Sequence, residues 1–394
     1  MSKKNSARLS PPATEVRVGI IGLGNMGATH ARALLAGQAP RLRLTAICDS
    51  DPARLAPFPA PAHFDDPGKL IRDGDVDAVI IATPHYSHTT IGIDALGQGL
   101  HVMVEKPISV HKSDCERLIA AHRGTVFAAM FNQRTDPFYQ KLRGLIRAGE
   151  FGEIRRINWT ITNWFRTEAY YASGGWRATW AGEGGGVLLN QCPHNLDLLQ
   201  WMFGMPVSVR AFCGLGRYHK IEVEDDVTAY MRFKNGATGV FIASTGEAPG
   251  TNRLEIAAEL GRIVYENDRI TFTRNEIGMS KFSREAESGF ASPPIWDITI
   301  PLAGHGEQHL GILKNFAAAI LDGAPLIAPA AEGINSVELA NAMIYSSFTD
   351  STVDIPLSGK AYEAFLKKRI SESKVKKKAP ARRATPDDFA KSFK

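Results

Sequence analysis

Residues 16–21, Val-Arg-Val-Gly-Ile-Ile, lead directly into residues 22–27, Gly-Leu-Gly-Asn-Met-Gly. An apolar strand followed by a G-x-G-x-x-G turn and a helix is the pattern that binds a dinucleotide cofactor. Gly22 would make the tight turn, Gly24 would let backbone amides approach a pyrophosphate, and Gly27 would let the helix pack on the strand. We therefore predict that the whole turn binds the cofactor: Gly22, Leu23, Gly24, Asn25, Met26 and Gly27.

An acidic residue stands where such a unit needs one for the ribose. Asp49 follows the next apolar run, residues 42–48, and a carboxylate at this place accepts hydrogen bonds from the ribose hydroxyls. Because its charge repels a 2′-phosphate, the sequence predicts NAD as the cofactor. Ser50 and Arg54 lie nearby and leave NADP open, so Arg54 is included among the candidate cofactor-binding residues.

The composition describes an ordinary globular chain that is long enough for two domains. Of its 394 residues, 44% are hydrophobic and 22% are charged, and one compact core seldom uses so much length. The net charge of +5 comes from residues 361–394, which hold eleven Lys and Arg against four Asp and Glu, so residues 1–360 carry −2. This distribution argues against nucleic acid as a partner and predicts a solubilising tail.

The compartment is predicted from signals that the sequence lacks. Residues 1–14 contain no apolar export segment, and no apolar run approaches the roughly 18 residues of a membrane span. The four cysteines have no C-x-x-C spacing, which favours free thiols over a disulfide framework or a metal site. We expect a cytoplasmic protein that binds neither a membrane nor a metal.

The spacing of the apolar residues changes at about residue 152. Before it, apolar runs alternate with helical patterns, which predicts a parallel α/β sheet. After it, residues 156–162, 228–233 and 239–243 alternate with period two, which predicts longer antiparallel strands. We therefore expect an α/β dinucleotide-binding domain followed by an α+β domain with a largely antiparallel sheet. The predicted boundaries are a flexible N-terminus at 1–14, the first domain at 15–131, the second domain at 132–360, and a basic, disordered tail at 361–394.

Two segments carry side chains suited to chemistry. Lys106, between Glu105 and Pro107, follows a predicted strand, where parallel sheets place their ligands, although most lysines lie on the surface. Asn190 and His194 fall on one face of a helix predicted over residues 187–203, together with Asp197, which would orient the imidazole or simply be solvated. Pro193 should kink this helix just before His194.

An aromatic segment with two arginines lies between these elements. Aromatic faces with polar neighbours suit the apolar faces of sugar rings, but rings of this kind also pack subunit interfaces and domain seams. The candidate substrate-binding residues in this segment are Trp164, Arg166, Tyr170, Trp176 and Arg177.

The order of these motifs resembles that of a known family. The motifs are residues 22–27, Ala82-Thr83-Pro84 with His88, Glu105-Lys106-Pro107, and Trp176-Arg177 leading through residues 184–186 to His194. Over residues 15–357 they resemble the GFO/IDH/MocA family, the glucose-fructose oxidoreductase and inositol dehydrogenase group. The resemblance implies a Rossmann domain, a second domain whose open sheet commonly mediates oligomers, and a homodimer or homotetramer.

The resemblance also implies roles for individual residues. Lys106 matches the family's catalytic lysine, and His194 matches its acid/base histidine. Thr83, Pro84 and His88 match positions that line the nicotinamide side of the cofactor. Glu105 and Lys106 are also included among the candidate cofactor-binding residues. Many members carry aspartate where this chain has Asn190. We hypothesise that Lys106 thereby loses a countercharge and shares its proton more readily with His194.

These observations favour an NAD-dependent dehydrogenase that interconverts a secondary hydroxyl and a ketone on a sugar, an inositol or a glycoside. Two alternatives stay open at this point. One is NAD-dependent glycoside cleavage through transient oxidation and elimination. The other is a non-catalytic NAD- and sugar-sensing regulatory protein, against which the presence of both Lys106 and His194 argues.

Overall fold

The first of two sheets is a six-stranded parallel sheet. In the computed structural model, which describes residues 14–302 and 304–373, its strand order is β3-β2-β1-β4-β5-β6. The central strands of this sheet are mostly apolar because helices cover both faces, and all four residues of β4 are buried. The strands are β1 (Val16–Ile21), β2 (Leu42–Cys48), β3 (Ala62–Phe64), β4 (Ala78–Ile81), β5 (His101–Val104) and β6 (Phe127–Ala129).

The second sheet has nine strands in the order β14-β13-β12-β11-β7-β10-β9-β8-β15. Adjacent strands of this sheet are antiparallel except for β7 and β10, which pair in parallel. The prediction of a largely antiparallel sheet is therefore confirmed. The strands are β7 (Ile154–Ile161), β8 (Ser208–Leu215), β9 (Glu224–Arg232), β10 (Thr238–Ser244), β11 (Asn252–Ala258), β12 (Gly261–Glu266), β13 (Arg269–Asn275), β14 (Ile295–Ile300) and β15 (Val353–Asp354).

Helices connect and cover these sheets. Short 3₁₀ helices occur at Asn132–Thr135 and Ala330–Glu332. The α-helices are α1 (Asn25–Leu35), α2 (Pro52–Leu55), α3 (Pro67–Asp73), α4 (His85–Gly97), α5 (Lys112–Ala121), α6 (Pro137–Arg147), α7 (Glu168–Ala172), α8 (Pro193–Phe203), α9 (Met279–Glu285), α10 (Gln308–Asp322), α11 (Gly333–Thr349) and α12 (Gly359–Glu372). Among the described residues, no helix has both the length and the apolar character needed to cross a membrane.

The first sheet places the candidate cofactor residues at one edge. Gly22, Asp49, Thr83 and Glu105 each follow a strand, at or immediately after its carboxyl end. The strand order reverses between β1 and β4, and ligands of open parallel sheets bind at this reversal, beyond the carboxyl ends. The fold therefore brings together residues that lie more than 80 positions apart in the sequence.

Helix α10 packs on the first sheet although it follows the second sheet in sequence. Leu313 and Phe316 are fully buried in the same apolar cluster as β1 and β4. The second domain, which we predicted over residues 132–360, thus contributes a helix to the core of the first. This return of the chain brings the first turn of α10 towards the strand ends that carry the candidate site.

The structure corrects two predictions about helices. The helix predicted over residues 187–203 begins only at Pro193, which is its first residue and causes no kink within it, because an N-terminal proline lacks an N–H that would be unpaired there anyway. The tail predicted to be disordered from residue 361 is helical as far as Glu372, and Tyr362 and Leu366 are buried. The predictions for residues 1–13 and 374–394 lie outside the described residues.

Candidate functional site

The glycine turn has the geometry of a pyrophosphate-binding loop. Gly22 has φ +93°, and its amide donates to the carbonyl of Cys48 at 2.8 Å. A Cβ on Gly27 would lie 1.7 Å from the carbonyl oxygen of Gly22, whereas one on Gly24 would meet no atom within 4 Å. The turn is therefore closed on its protein side and open at Gly24, where α1 begins and its amides face outward.

Asp49 is attached to this turn. Its Oδ2 accepts a hydrogen bond from the amide of Leu23 at 2.7 Å, and its Oδ1 accepts one from the amide of Asp51 at 2.9 Å. The Arg54 guanidinium lies 3.3 Å from the same Oδ2. Since a carboxylate has about four lone-pair positions, Asp49 retains acceptor capacity for ribose hydroxyls.

The end of β4 is tied to the loop that follows β5. His88 is buried, and its Nδ1 and Nε2 lie 2.9 Å and 2.8 Å from the carbonyl oxygens of Pro107 and Thr83. Burial lowers the pKa of His88, although these carbonyls act against that shift. Within the described residues, the buried Oγ1 of Thr83 has no hydrogen-bond partner. His88 therefore holds the loop after β4 against the loop after β5. Pro84 immediately precedes the first residue of α4.

Lys106 extends from the first domain to the second. Its Nζ donates to the backbone carbonyl of Asn190 at 2.9 Å. Burial lowers the pKa of the ammonium; the carboxylates of Glu105 and Glu183 oppose this shift, while Arg166 and Arg177 add to it.

Glu105 is held beneath this lysine by a histidine of α1. Its Oε1 lies 2.8 Å from Nε2 of His30. Burial acts to raise the pKa of Glu105, but the hydrogen bond and the charges of His30, His309 and Lys106 together bring it below the ordinary value. The carboxylate is therefore a structural anion close to Lys106.

His194, the second residue of α8, is a buried and neutral base. Its Nδ1 has no hydrogen-bond partner among the described residues, and the edge of the Phe131 ring packs against it at a centroid distance of 6.3 Å. Burial lowers its pKa well below 6.5, and the charges of Lys106 and His309 lower it further. The imidazole is thus held in its neutral form, the form that is able to accept a proton.

Asp197 neither orients His194 nor lies in solvent, so both roles considered from the sequence are wrong. Its carboxylate accepts two hydrogen bonds from the buried Arg134 guanidinium, at 2.7 Å to Nε and 2.6 Å to Nη2. Arg134 also pairs with Glu332 at 2.6 Å. Asn190 lies outside α8, so the amide, imidazole and carboxylate do not form one helix face.

The aromatic segment does converge on Asn190. The hydroxyl of Tyr170 donates to Oδ1 of Asn190 at 3.1 Å and accepts from Nη1 of Arg177 at 2.9 Å. The Arg177 guanidinium lies over the rings of Tyr170 and Trp176, at 4.7 Å and 4.8 Å from their centroids. Because Asn190 also contacts Lys106, this segment forms a wall of the same site.

The remaining members of the segment extend this wall. The Arg166 guanidinium lies 5.4 Å from the centroid of the Trp164 ring and 5.1 Å from that of Tyr170. Nε1 of Trp164 donates to Oδ1 of Asn195 on α8 at 3.4 Å. The candidate residues that we selected for aromatic and cationic character are therefore contiguous in the fold.

Sequence reasoning missed three groups of this site. His30 and His309 have ring centroids 5.8 Å apart, and they come from α1 and α10, so no local pattern connects them. Glu183 is buried between the aromatic segment and Asn190. Its position just before the triple glycine at 184–186 is the signal that could have revealed it, because a carboxylate in an apolar, glycine-rich stretch needs buried partners.

Comparison with known proteins gives consistent results for both domains. A family model described as an oxidoreductase family with an NAD-binding Rossmann fold matches residues 16–130, and one described as the GFO/IDH/MocA C-terminal domain matches residues 139–264. Levoglucosan dehydrogenase from Pseudarthrobacter phenanthrenivorans is 26% identical over 387 residues, with 86% of this chain and 98% of the relative covered.

Two further relatives match this chain over nearly the whole of their own length. Inositol 2-dehydrogenase from Rhizobium meliloti is 25% identical, with 84% of this chain and 96% of the relative covered. The crystal structure of the WlbA dehydrogenase from Bordetella pertussis in complex with NADH and UDP-GlcNAcA is 25% identical with a TM-score of 0.74, covering 87% of this chain and 100% of that one.

Proposed function

The chain belongs to the GFO/IDH/MocA oxidoreductase family, whose first domain binds NAD, and from this premise we propose that it interconverts a secondary hydroxyl and a ketone on a sugar, an inositol or a glycoside, with Lys106 and His194 at the reacting oxygen. The observation that carries this proposal is the pairing of two groups from different domains. The buried, neutral imidazole of His194 lies within the electrostatic reach of Lys106, which stands just beyond the carboxyl end of β5.

NAD bound on the glycine turn would supply the hydride acceptor. In the direction of oxidation, the neutral imidazole of His194 takes the proton of the substrate hydroxyl. The Lys106 ammonium donates to the same oxygen, which stabilises the negative charge that develops there and orients the carbon. Reduction reverses this proton transfer.

The wall formed by the aromatic segment supports a carbohydrate or polyol substrate. Trp164, Tyr170 and Trp176 present ring surfaces beside polar and cationic groups, an arrangement that suits the apolar face and the hydroxyls of a sugar ring. The relatives named above act on levoglucosan and on inositol, as their names state, which agrees with this class.

We also expect a homo-oligomer that forms through the outer face of the second sheet. Phe212 on β8 and Tyr230 on β9 are 60% and 45% exposed there, and apolar side chains exposed on a sheet are typical of an interface. Mass photometry of the full-length chain would distinguish a dimer or tetramer from a monomer.

The test is mass spectrometry of mixed inositols, aldoses and glycosides after incubation with the protein and NAD. A product short of two hydrogens, formed together with NADH, supports the proposal and identifies the substrate. The variants Lys106→Met and His194→Asn should bind NADH but form no such product. Cleaved glycoside without net NADH would instead indicate elimination, and turnover by Lys106→Met at the wild-type rate would refute the assigned roles.

A further inference from the structure

Glu183 is a buried carboxylate surrounded by hydrogen-bond donors. Its side chain is 2% exposed. Oε2 accepts from the amide of Ala178 at 2.5 Å, Oε1 accepts from Nδ2 of Asn190, and Nη1 of Arg177 lies 3.9 Å from Oε1. Each of these partners presents N–H groups, and these contacts favour the ionised form of Glu183 against the opposing effect of burial.

These contacts close a ring of polar side chains. Glu183 contacts Asn190, Asn190 accepts from the Tyr170 hydroxyl, Tyr170 accepts from Arg177, and Arg177 returns to Glu183. With its Nδ2 directed at a carboxylate and its Oδ1 at a hydroxyl, Asn190 has only one orientation that satisfies both sides. The ring therefore holds the side chain of the residue whose backbone carbonyl accepts from Nζ of Lys106.

The charge of Glu183 matters because several groups around Lys106 disfavour its ammonium form. Burial and the guanidinium groups of Arg166 and Arg177 all act against its ammonium form, while Glu105 and Glu183 act for it. Glu105 contacts His30 on the side of the first domain. Glu183 is the corresponding anion on the side of the second domain.

From this geometry we propose that Glu183 is a positioning residue of the dehydrogenase site: it fixes the side chain of Asn190 and, together with Glu105, supplies the negative charge that keeps Lys106 a cation. The inference rests on the function proposed above for Lys106. It assigns the countercharge to a residue seven positions before Asn190, and so revises our hypothesis that Lys106 lacks one.

The test measures the protonation of Lys106 directly. The full-length chain is labelled with a trace of acetic anhydride across a pH series, and mass spectrometry of the Lys106 peptide gives the midpoint at which the free amine appears. In Glu183→Gln we expect this midpoint to fall by about one to two pH units, the size expected for one charge acting across roughly 6–12 Å at an effective dielectric constant of ~20. Kinetically, the alkaline limb of kcat/KM should shift downward by the same amount.

Two rescue variants separate charge from packing. Glu183→Asp keeps the charge and should retain the wild-type midpoint even if its thermal stability drops. In the double variant Glu183→Gln/Asn190→Asp, the new amide donates to the new carboxylate, and the midpoint should return to within about half a unit of wild type because the anion has only moved to the neighbouring side chain.

Glu222→Gln is the matched control. Glu222 also accepts from a backbone amide of this segment, that of Trp180 at 2.9 Å, but it does not contact the ring around Asn190. If Glu183→Gln and Glu222→Gln bind NADH like wild type and leave the Lys106 midpoint unchanged, the inference is overturned. That outcome differs from failure of the proposed function, which would be turnover by Lys106→Met at the wild-type rate.

Discussion

Replacing two glycines of the same turn should separate cofactor binding from folding. Gly24 has φ −65° and ψ −165°, a conformation open to alanine, and a Cβ there meets nothing within 4 Å. Gly24→Ala should therefore change the free energy of unfolding by less than about 0.5 kcal/mol. The added methyl, however, stands in the space that a pyrophosphate must enter to reach the amides of the turn.

The magnitude of the binding defect follows from those hydrogen bonds. A pyrophosphate displaced by a methyl group loses one or two charge-assisted bonds to backbone amides, each contributing about 1.5–3 kcal/mol. Even the lower figure corresponds to roughly tenfold weaker binding, and two lost bonds to 100-fold or more. Gly24→Ala should thus fold normally and bind NADH at least ~10-fold more weakly than wild type.

Gly27→Ala should show the opposite pattern. Alanine within a helix is usually favoured over glycine by about 1 kcal/mol. Here, a Cβ would lie 1.7 Å from the backbone oxygen of Gly22, so α1 must move away from β1. We expect a net destabilisation of about 1–3 kcal/mol or more, as for other overpacked sites.

Two measurements decide this comparison: urea unfolding of both variants, and titration of NADH by fluorescence. Wild-type NADH affinity in Gly24→Ala would refute the assignment of the pyrophosphate to this turn. A Gly27→Ala variant that unfolds at the wild-type urea concentration would refute the packing argument.

Three further predictions concern other parts of the molecule. His194→Asn should bind NADH normally but lower kcat by ~10²–10⁴-fold. Because burial holds the pKa of His194 well below 6.5, the imidazole of the wild-type protein stays neutral as the pH falls through 6.5. A wild-type oxidation rate that declines with a midpoint at pH 6.5 would therefore contradict the role of His194. Asp49→Asn keeps an acceptor for Leu23 but removes the repulsion of a 2′-phosphate, so the ratio of NADP to NAD affinity should rise ~10-fold or more in calorimetric titrations; an unchanged ratio would exclude Asp49 as its determinant. Asp197→Asn leaves the buried Arg134 without its main partner and should lower the free energy of unfolding by about 3–5 kcal/mol. The carboxylate of Glu332 is 43% exposed, so Glu332→Gln should change the free energy of unfolding by less than ~1 kcal/mol. Equal effects of the two variants in urea unfolding would contradict the argument from burial.

Local patterns were sufficient for the architecture and for the first domain's ligand-binding edge. The strand at 16–21, the glycine turn and Asp49 lie within one short stretch of chain, where spacing alone sets their geometry. The change to period-two alternation predicted the second sheet because side chains of a half-buried strand must alternate between two faces. The same reasoning failed at Pro193, since apolar character continues through residues 187–192 although the backbone turns there before α8 begins.

The sequence by itself therefore determined that the chain folds as a Rossmann domain with a mixed-sheet partner, and it pointed to Lys106 and His194. Only the tertiary structure decided which groups surround them. Glu183 and Arg166 lie 60 or more positions from Lys106 in the chain, and their charges act on it because folding removes the intervening water and brings separate elements together. Periodicity records which face of an element is buried, but the partners met on that face depend on how the sheets and helices pack.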